Sequence, residues 1–422
     1  MTLFGLDRHG VAELVARVRP PLVSEASPDV PARAADGSLG PDELAEVFAR
    51  ASWSVITEPG DRAASELIGA LGAPAALELI VAGASTDSIT GAMAERGGAP
   101  VDSAVIDAAL NRWRPRVSSV AVRRAIEHGG RRGVRFIVPG DSAWPTGLDD
   151  LGDGAPLSLW ALGDLDRLEW FDRAIAIVGA RAATGYGDHV AAEFSAGLAE
   201  RGWAIVSGGA YGIDGTAHRL ALAVDGRTIA FLAGGLDRFY PAGHDELLTT
   251  IADRGLVISE VPCGVAPTRW RFLMRNRLMA AASSATIVIE AGARSGSLNT
   301  AHHAAELGRP LGAVPGPITS PSSTGCHRIL RELPSECVTS VEEIEALAQA
   351  ASFDSSRSGG VEHADSPERV RVIDALSRRR PRDIDDIAKR TGMSLVEVTR
   401  VLGPLELERR VEERGGGWVL TS

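Results

Sequence analysis

The sequence predicts an α/β protein: a parallel sheet core, with a helical domain before it and a winged helix after it. Three observations carry this. Six short apolar runs between residues 174 and 316 alternate with helical stretches, and most of the runs end in glycine. Continuous apolar strands alternating with helices indicate a parallel sheet covered on both faces. Residues 41–128 place apolar side chains at three- and four-residue spacing, the period of amphipathic helices. Residues 366–422 read as three helices followed by a hairpin with a glycine turn, the order of a winged helix.

Taken in chain order, residues 1–40 are expected to be a flexible extension. The part from 20 to 41 is rich in Pro, Ala, Asp and Gly and has no period. In 41–128, "PDELAEVFARASW" and "DRAASELIGALGAPAALELIVAGA" are helical, with Gly and Pro as stops. The core is expected over 129–333. Its strands are "AIAIVGA" (174–180), "WAIVSGG" (203–209), "RTIAFLAGG" (227–235), "GLVISE" (255–260), "ATIVIEAG" (285–292) and "PLGAVPG" (310–316). A linker is expected over 334–365, containing the polar run "FDSSRSGGVEHADSPE". "PERVRVIDALS", "DIDDIAKRTG" and "SLVEVTRVLGPLELERR" then give the three helices, and "VEERGGGWVL" the hairpin.

With 422 residues, of which 45% are hydrophobic, the chain is long enough for two or three cores. It has no run of 18 apolar residues, and "MTLFGLDRHG" lacks the basic and apolar regions of a secretory signal. Three scattered cysteines, Cys263, Cys326 and Cys337, suit a reducing cytoplasm and form no CxxC metal pair. A cytoplasmic protein with no membrane span and no bound metal is expected. The net charge is −11, but it is uneven. Residues 268–331 hold eight arginines against Glu290 and Glu306, a local +6 that the whole-chain charge hides.

The stretch "RWRFLMRNR" (269–277) concentrates that charge, with four arginines and two aromatics in nine residues. Guanidinium pairs with phosphate, and aromatic rings stack on bases. A solvated helix face with two core aromatics would read the same way, so the neighbouring loops must decide. Four of them follow strands: "GARAAT" (179–184), "SGGAYG" (207–212), "AGGLDRFYP" (233–241) and "GARSGS" (292–297). Backbone amides at helix starts, together with arginine, make anion sites. The first loop is not G-x-G-x-x-G and no Walker A loop is present, so a dinucleotide and ATP both lose ground. Asp214 and His218 lie four apart on one helix face, as either an acid–base pair or capping and packing residues. His302 and His303 are adjacent and face different ways. No nucleophilic triad or carboxylate pair can be assigned.

"IVGARAAT", "SGGAYGIDGTAH", "LAGGLDRFYP", "ISEVP", "RNRLMAAAS", "EAGARSGSLNTA" and "AVPG" occur in this order. Together they resemble the DNA-processing protein A family, called DprA or Smf, over roughly residues 130–333. The resemblance implies an extended Rossmann-like core, a SAM-like helical domain and a terminal winged helix. It implies a homodimer that binds single-stranded DNA, protects incoming strands and helps load a RecA-type recombinase in DNA uptake and transformation. Catalytic turnover and cofactors are not implied. The DNA-binding residues it points to, with those of the glycine-rich loops, are Arg181, Thr184, Ser207, Gly208, Gly209, Arg238, Phe239, Tyr240, Arg275, Asn276, Arg277, Arg294, Ser295, Gly296 and Ser297. Ala242 and His244 depart from the basic residue and the asparagine many members carry there. The winged helix is acidic, with Glu397, Glu406 and Glu408, which favours a protein-contact or regulatory role over DNA reading. The competing expectations are a Rossmann-type nucleoside-monophosphate phosphoribohydrolase and a structural adaptor acting through the winged helix. The first is opposed by the absence of a glutamate after the glycines of "EAGARSGS".

Overall fold

Seven helices precede the sheet in the computed structural model, which describes residues 4–19, 39–97, 101–355 and most of 372–421. They are α1 (Arg8–Val18), α2 (Pro41–Ile56), α3 (Arg62–Leu71), α4 (Ala73–Val81), α5 (Thr86–Glu95), α6 (Ser103–Trp113) and α7 (Ser119–Arg131). Asp7, Asp61, Ser85, Asp102 and Ser118 cap five of them, each accepting a backbone N–H of the first turn. Pro41 and Pro74 open α2 and α4, where a missing N–H costs nothing. Trp53 and Trp113 meet edge to face at 5.3 Å in the centre of this bundle. The extension expected over 1–40 thus contains a helix. Val11, Leu14, Val15 and Val18 form a buried stripe at helical spacing, which docks α1 on α7 and α2. The proline-rich loop expected over 20–41 lies, up to residue 38, outside the described residues.

The sheet has nine strands: β1 (Arg135–Ile137), β2 (Leu159–Gly163), β3 (Ala174–Val178), β4 (Ala204–Ser207), β5 (Thr228–Leu232), β6 (Leu256–Ser259), β7 (Ala285–Val288), β8 (Leu311–Ala313) and β9 (Glu336–Cys337). Their order is β1-β2-β6-β5-β4-β3-β7-β8-β9. All six expected strands are present, and β6 through β9 run parallel. The sheet is nevertheless mixed, because β2 pairs antiparallel with β6 and β1 antiparallel with β2. Helices α8 (Gly185–Glu200), α9 (Ile213–Ala223), α10 (Asp245–Arg254), α11 (Arg269–Ala281), α12 (Ser297–Glu306) and α13 (Thr324–Glu332) alternate with the parallel strands. Strands β3 to β7 are buried along their whole length, so they read as unbroken apolar runs.

One face of the sheet packs Phe231, Ile258 and Leu278 into a core, and the other packs Phe194, Leu198 and Trp203. A third cluster joins the helices to the sheet through Val15, Phe48, Phe136, Trp160 and Leu248. The core also runs past residue 333, where a linker is expected. β9 adds an edge strand, and Val341, Ile344, Leu347 and Ala348 of α14 (Val341–Ser355) bury a helical stripe against the second face. Among the described residues no single helix is long and apolar enough to cross a membrane; α3 and α4 together are apolar but bend by 111°.

The second unit, from Asp354 onward, contains helices Ile384–Thr391 and Leu395–Leu407 and a hairpin of β10 (Val411–Arg414) and β11 (Gly417–Leu420). Ile387, Val398, Leu402, Leu405 and Val411 form its core, a winged-helix-like arrangement. Glu406 is exposed; Glu408, the side chain of Glu397, residues 356–365 of the expected linker and most of the first expected helix lie outside the described residues.

Candidate nucleic-acid interface

Strand order falls from β6 to β3 and then jumps to β7, so the sheet reverses between β3 and β7. In open α/β sheets, ligands bind beyond the carboxyl ends of the strands at such a reversal. The loops after β3 and β7, "GARAAT" and "GARSGS", flank that point, and the loops after β4 and β5 continue the same edge.

Glu290 holds the reversal together. Its buried carboxylate accepts the Thr184 amide at 2.9 Å, the Thr184 hydroxyl at 2.7 Å and the Ser322 hydroxyl at 3.1 Å. The same Thr184 hydroxyl caps α8 by accepting from Gly187 N. A Cβ on Gly187 would sit 2.1 Å from Glu290 Oε2, so only glycine fits there. The structure therefore gives Thr184 internal partners that fix the loop, and it leaves Arg181 exposed at the loop's tip.

The "SGG" turn is scaffold throughout. Ser207 is fully buried and donates to Ile177 O at 2.6 Å. The Gly208 and Ala210 amides donate to Asp214 Oδ2 at 3.2 and 3.4 Å. Gly208 O accepts from Arg275 Nη1 at 2.6 Å, and a Cβ on Gly208 would strike that guanidinium at 2.4 Å. Gly209 has φ of +64°, and its carbonyl is bonded to His244 Nδ1 at 3.0 Å. Asp214 and His218 resolve to the packing alternative. Burial pushes the Asp214 carboxyl up against the pull of Arg275 and the loop amides. Burial also drives the His218 imidazole down to about 3, where it stays neutral and pairs with Thr228 Oγ1 at 2.7 Å.

Helix α11 divides its arginines. Thr268 caps it, and its first turn exposes Arg269 and Trp270, the latter 54% exposed. Arg271 pairs with both Glu58 oxygens at 2.9 Å. Arg275 is buried and donates to Gly208 O and Phe231 O; burial lowers its guanidinium to about 10. Arg277 is also buried and pairs with Glu260 at 2.8 Å. Asn276 reaches Gly296 O at 3.2 Å and so fixes the loop after β7. The "RNR" segment is therefore internal, because α11 is buried on every face from Arg275 to Ala281. Phe239 needs the same correction: it is 5% exposed and packs in the core beneath Arg132, so the loop's exposed ring is Tyr240 alone. In the loop after β7, Arg294 and Gly296 are exposed, while Ser295 and the buried Ser297 bond one another through their hydroxyls at 2.7 Å.

Facing outward on this edge are Arg181, Arg238, Tyr240 and Arg294, joined by Arg269 and Trp270, which sequence reasoning quoted but did not single out. The half-buried Phe272 ring ties them together. The Arg181 guanidinium lies 4.9 Å from its centroid and the Tyr240 ring 5.7 Å away. Among the described residues, Arg181, Arg238, Arg269 and Arg294 have no carboxylate within ion-pair distance, and no cluster of three or more His, Cys, Asp or Glu could hold a metal. The edge offers guanidinium groups beside stacking rings, which suits an anionic chain with exposed bases.

Comparison with known proteins agrees. Residues 135–349 match the family described as DNA recombination-mediator protein A, and residues 359–417 match the DprA winged helix domain. A putative DNA processing protein DprA from Mycobacterium tuberculosis is 48% identical over 301 residues, 68% of this chain and 77% of that protein. Protein Smf of Escherichia coli is 36% identical over 295 residues, 67% of this chain and 76% of that one. The crystal structure of DNA processing protein A from Streptococcus pneumoniae superposes with a TM-score of 0.55 at 30% identity, covering 72% of this chain and 97% of that one. The chain therefore belongs to the DNA recombination-mediator protein A family.

Proposed function

We propose that this protein is a single-stranded DNA-binding recombination mediator, and that the strand crosses the carboxyl edge of the sheet between Arg181, Tyr240, Arg269 and Arg294. The observation that carries this is a set of exposed arginines without ion-pair partners among the described residues, grouped with exposed rings, in a chain of net charge −11. The buried members of the expected set, among them Ser207, Gly208, Arg275, Asn276 and Arg277, hold the loops in place. Family membership supports the mediator role and, with it, a RecA-type recombinase partner, a homodimer and action in the cytoplasm. The reversal in strand order supports reading the core as an extended Rossmann-like sheet. The helices before the sheet take the place of the SAM-like domain, and the acidic unit at the end serves protein contact or regulation. Nucleotide hydrolysis is disfavoured, because Glu290, the carboxylate at the reversal, is already bonded to Thr184 and Ser322.

Binding of single- and double-stranded oligonucleotides across a salt series tests this. Single strands should bind more tightly at every salt concentration and without strong sequence preference at the edge, since stacking and phosphate contacts accept any base. Equal or tighter binding to blunt duplex would refute it. Release of free base from nucleoside monophosphates would favour the hydrolase instead.

A further inference from the structure

A second basic stretch lies before the sheet. Residues 112–135 hold eight arginines against Glu127 alone, a local +7 in a chain of net charge −11. Three of the eight are held locally: Arg112 pairs with Asp61, Arg116 pairs with Glu58, and Arg114 donates to Ala84 O. Of the rest, Arg135 begins β1, and Arg123, Arg124, Arg131 and Arg132 stand on α7 and its C-cap. These four are exposed, and among the described residues none has a carboxylate within ion-pair distance. Val122, Ala125, Ile126 and Gly129 bury the opposite side of the helix. Arg124 and Arg131 are seven positions apart, nearly two turns of ~3.6 residues, so they share one outer stripe about 10 Å long. The helix dipole accounts for cations at the C-terminal end, where Arg131 and Arg132 sit, but its effect falls off within a turn and gives no reason for Arg123 and Arg124. Like charges on one side of a helix repel, and a polyanion turns that repulsion into attraction.

This helix adjoins the strand edge. Val122 and Ile126 share a core cluster with Leu232, Leu236 and Phe239, which belong to β5 and the loop after it. The Arg132 guanidinium lies 6.0 Å from the Phe239 ring centroid, and Phe239 stands between Arg238 and Tyr240 in the chain. We propose that α7 is a second phosphate track, which a single strand follows when it runs off the edge past Arg238. This rests on the strand-edge reading. The two parts of the path differ in chemistry. The edge sets rings beside its arginines, whereas α7 contains no aromatic residue. The helix therefore offers phosphate contacts without a surface on which a base can stack, and it should add affinity at any sequence.

Binding of oligo(dT) to the full chain tests this at two lengths, about 6 and about 30 nucleotides, the first short and the second long against the ~4–16 nucleotides that single-strand sites cover. Arg124→Gln combined with Arg131→Gln removes two charges from exposed positions. It should weaken the long oligomer about three- to tenfold and lower the magnitude of its log–log salt slope by about 1.4, two phosphate contacts. The short oligomer, which the edge alone can hold, should bind as before. Glu127→Gln should tighten only the long oligomer, about two- to threefold, a gain that misfolding cannot imitate. Arg181→Ala should weaken both lengths, so loss of the edge and loss of the track are read separately. If the double variant matches the parent at both lengths while Arg181→Ala still weakens them, α7 carries solvated charge only and the proposal fails with the edge intact. If Arg181→Ala changes neither length, the edge reading fails and the continuation with it. Equal loss at both lengths in the double variant would put the main site on α7 and overturn the continuation, as would a loss confined to blunt duplex.

Discussion

The two ends of α11 carry the same residue type to opposite uses. At the first turn, Arg269 stands in solvent beside the exposed Trp270. Two turns later, Arg275 and Arg277 are buried, one bonded to two backbone carbonyls and the other to Glu260. A guanidinium has five donors and no acceptor, so it serves equally as a phosphate clamp or as an internal brace for carbonyls. What decides is the position along the helix: the first turn is exposed, and the chain from Arg275 to Ala281 is buried on every face. Basic residues of the first turn raise the local potential for a polyanion, and those of the buried turns hold the loops that present it.

The largest effect expected from this contrast is on stability. Arg275→Ala should leave Gly208 O and Phe231 O without their donor and the Asp214 carboxylate without the nearby positive charge. A loss of about 2–4 kcal/mol is expected in urea unfolding. A variant as stable as the parent would show that the "RNR" segment of α11 is not buried and that its bracing role is wrong.

Arg181→Ala should do the reverse. Stability should change by about 0.5 kcal/mol or less, as for other exposed positions. Single-strand affinity should fall by roughly 1.5–3 kcal/mol, alike for every sequence. The log–log salt slope should lose about 0.7 in magnitude, one phosphate contact. Arg181→Lys should recover only part of the binding, because an ammonium does not reproduce the bidentate fork or its place on the Phe272 ring. Normal affinity with an unchanged slope would remove the strand from this loop.

His218 carries the same contrast to a third basic group. Burial lowers its folded value to about 3 from an ordinary 6.5. The unfolded chain therefore binds a proton that the folded chain refuses between those values, and stability should fall as pH drops through that window. At about pH 5.5 the loss from this group is about 1.4 kcal/mol. His218→Asn should flatten the denaturation midpoint over that range. An unaltered pH profile would mean that the imidazole is not sealed from water.

How much of this was legible follows from the same physics. Strands β3 to β8 were visible because each is an unbroken apolar run ended by a turn. β1 has three residues, β9 has two exposed ones, and the "LWALG" of β2 carries no alternation, so none gave a period. The site was legible as a set of loops and not as a set of faces. Neighbours Phe239 and Tyr240 have opposite exposures, and "RWRFLMRNR" mixes charge and apolar residues with so little amphipathic pattern that its buried end was not marked. Glu290 was visible only as one acid in a basic stretch; its role depends on Thr184 and Ser322, which are distant in sequence.

The smallest effect is expected from the C-terminal unit, and it tests whether the edge acts alone. Deleting residues 366–422 removes a separate unit with its own core and leaves α14 and every strand of the sheet in place. The deleted segment carries Glu406 exposed, and a carboxylate gives a phosphate nothing to pair with. Exposed charges beyond about 8–10 Å are largely screened at ordinary salt, so removing it should neither strip a contact from the edge nor greatly change the field there. Single-strand affinity should stay within about twofold and the salt slope should hold, because that slope counts phosphates contacted and not the protein's net charge. If the truncated protein keeps its helical circular dichroism yet loses strand binding, the contacts lie in the winged helix. The division of α11 into an exposed first turn that binds and buried later turns that brace would then concern folding only.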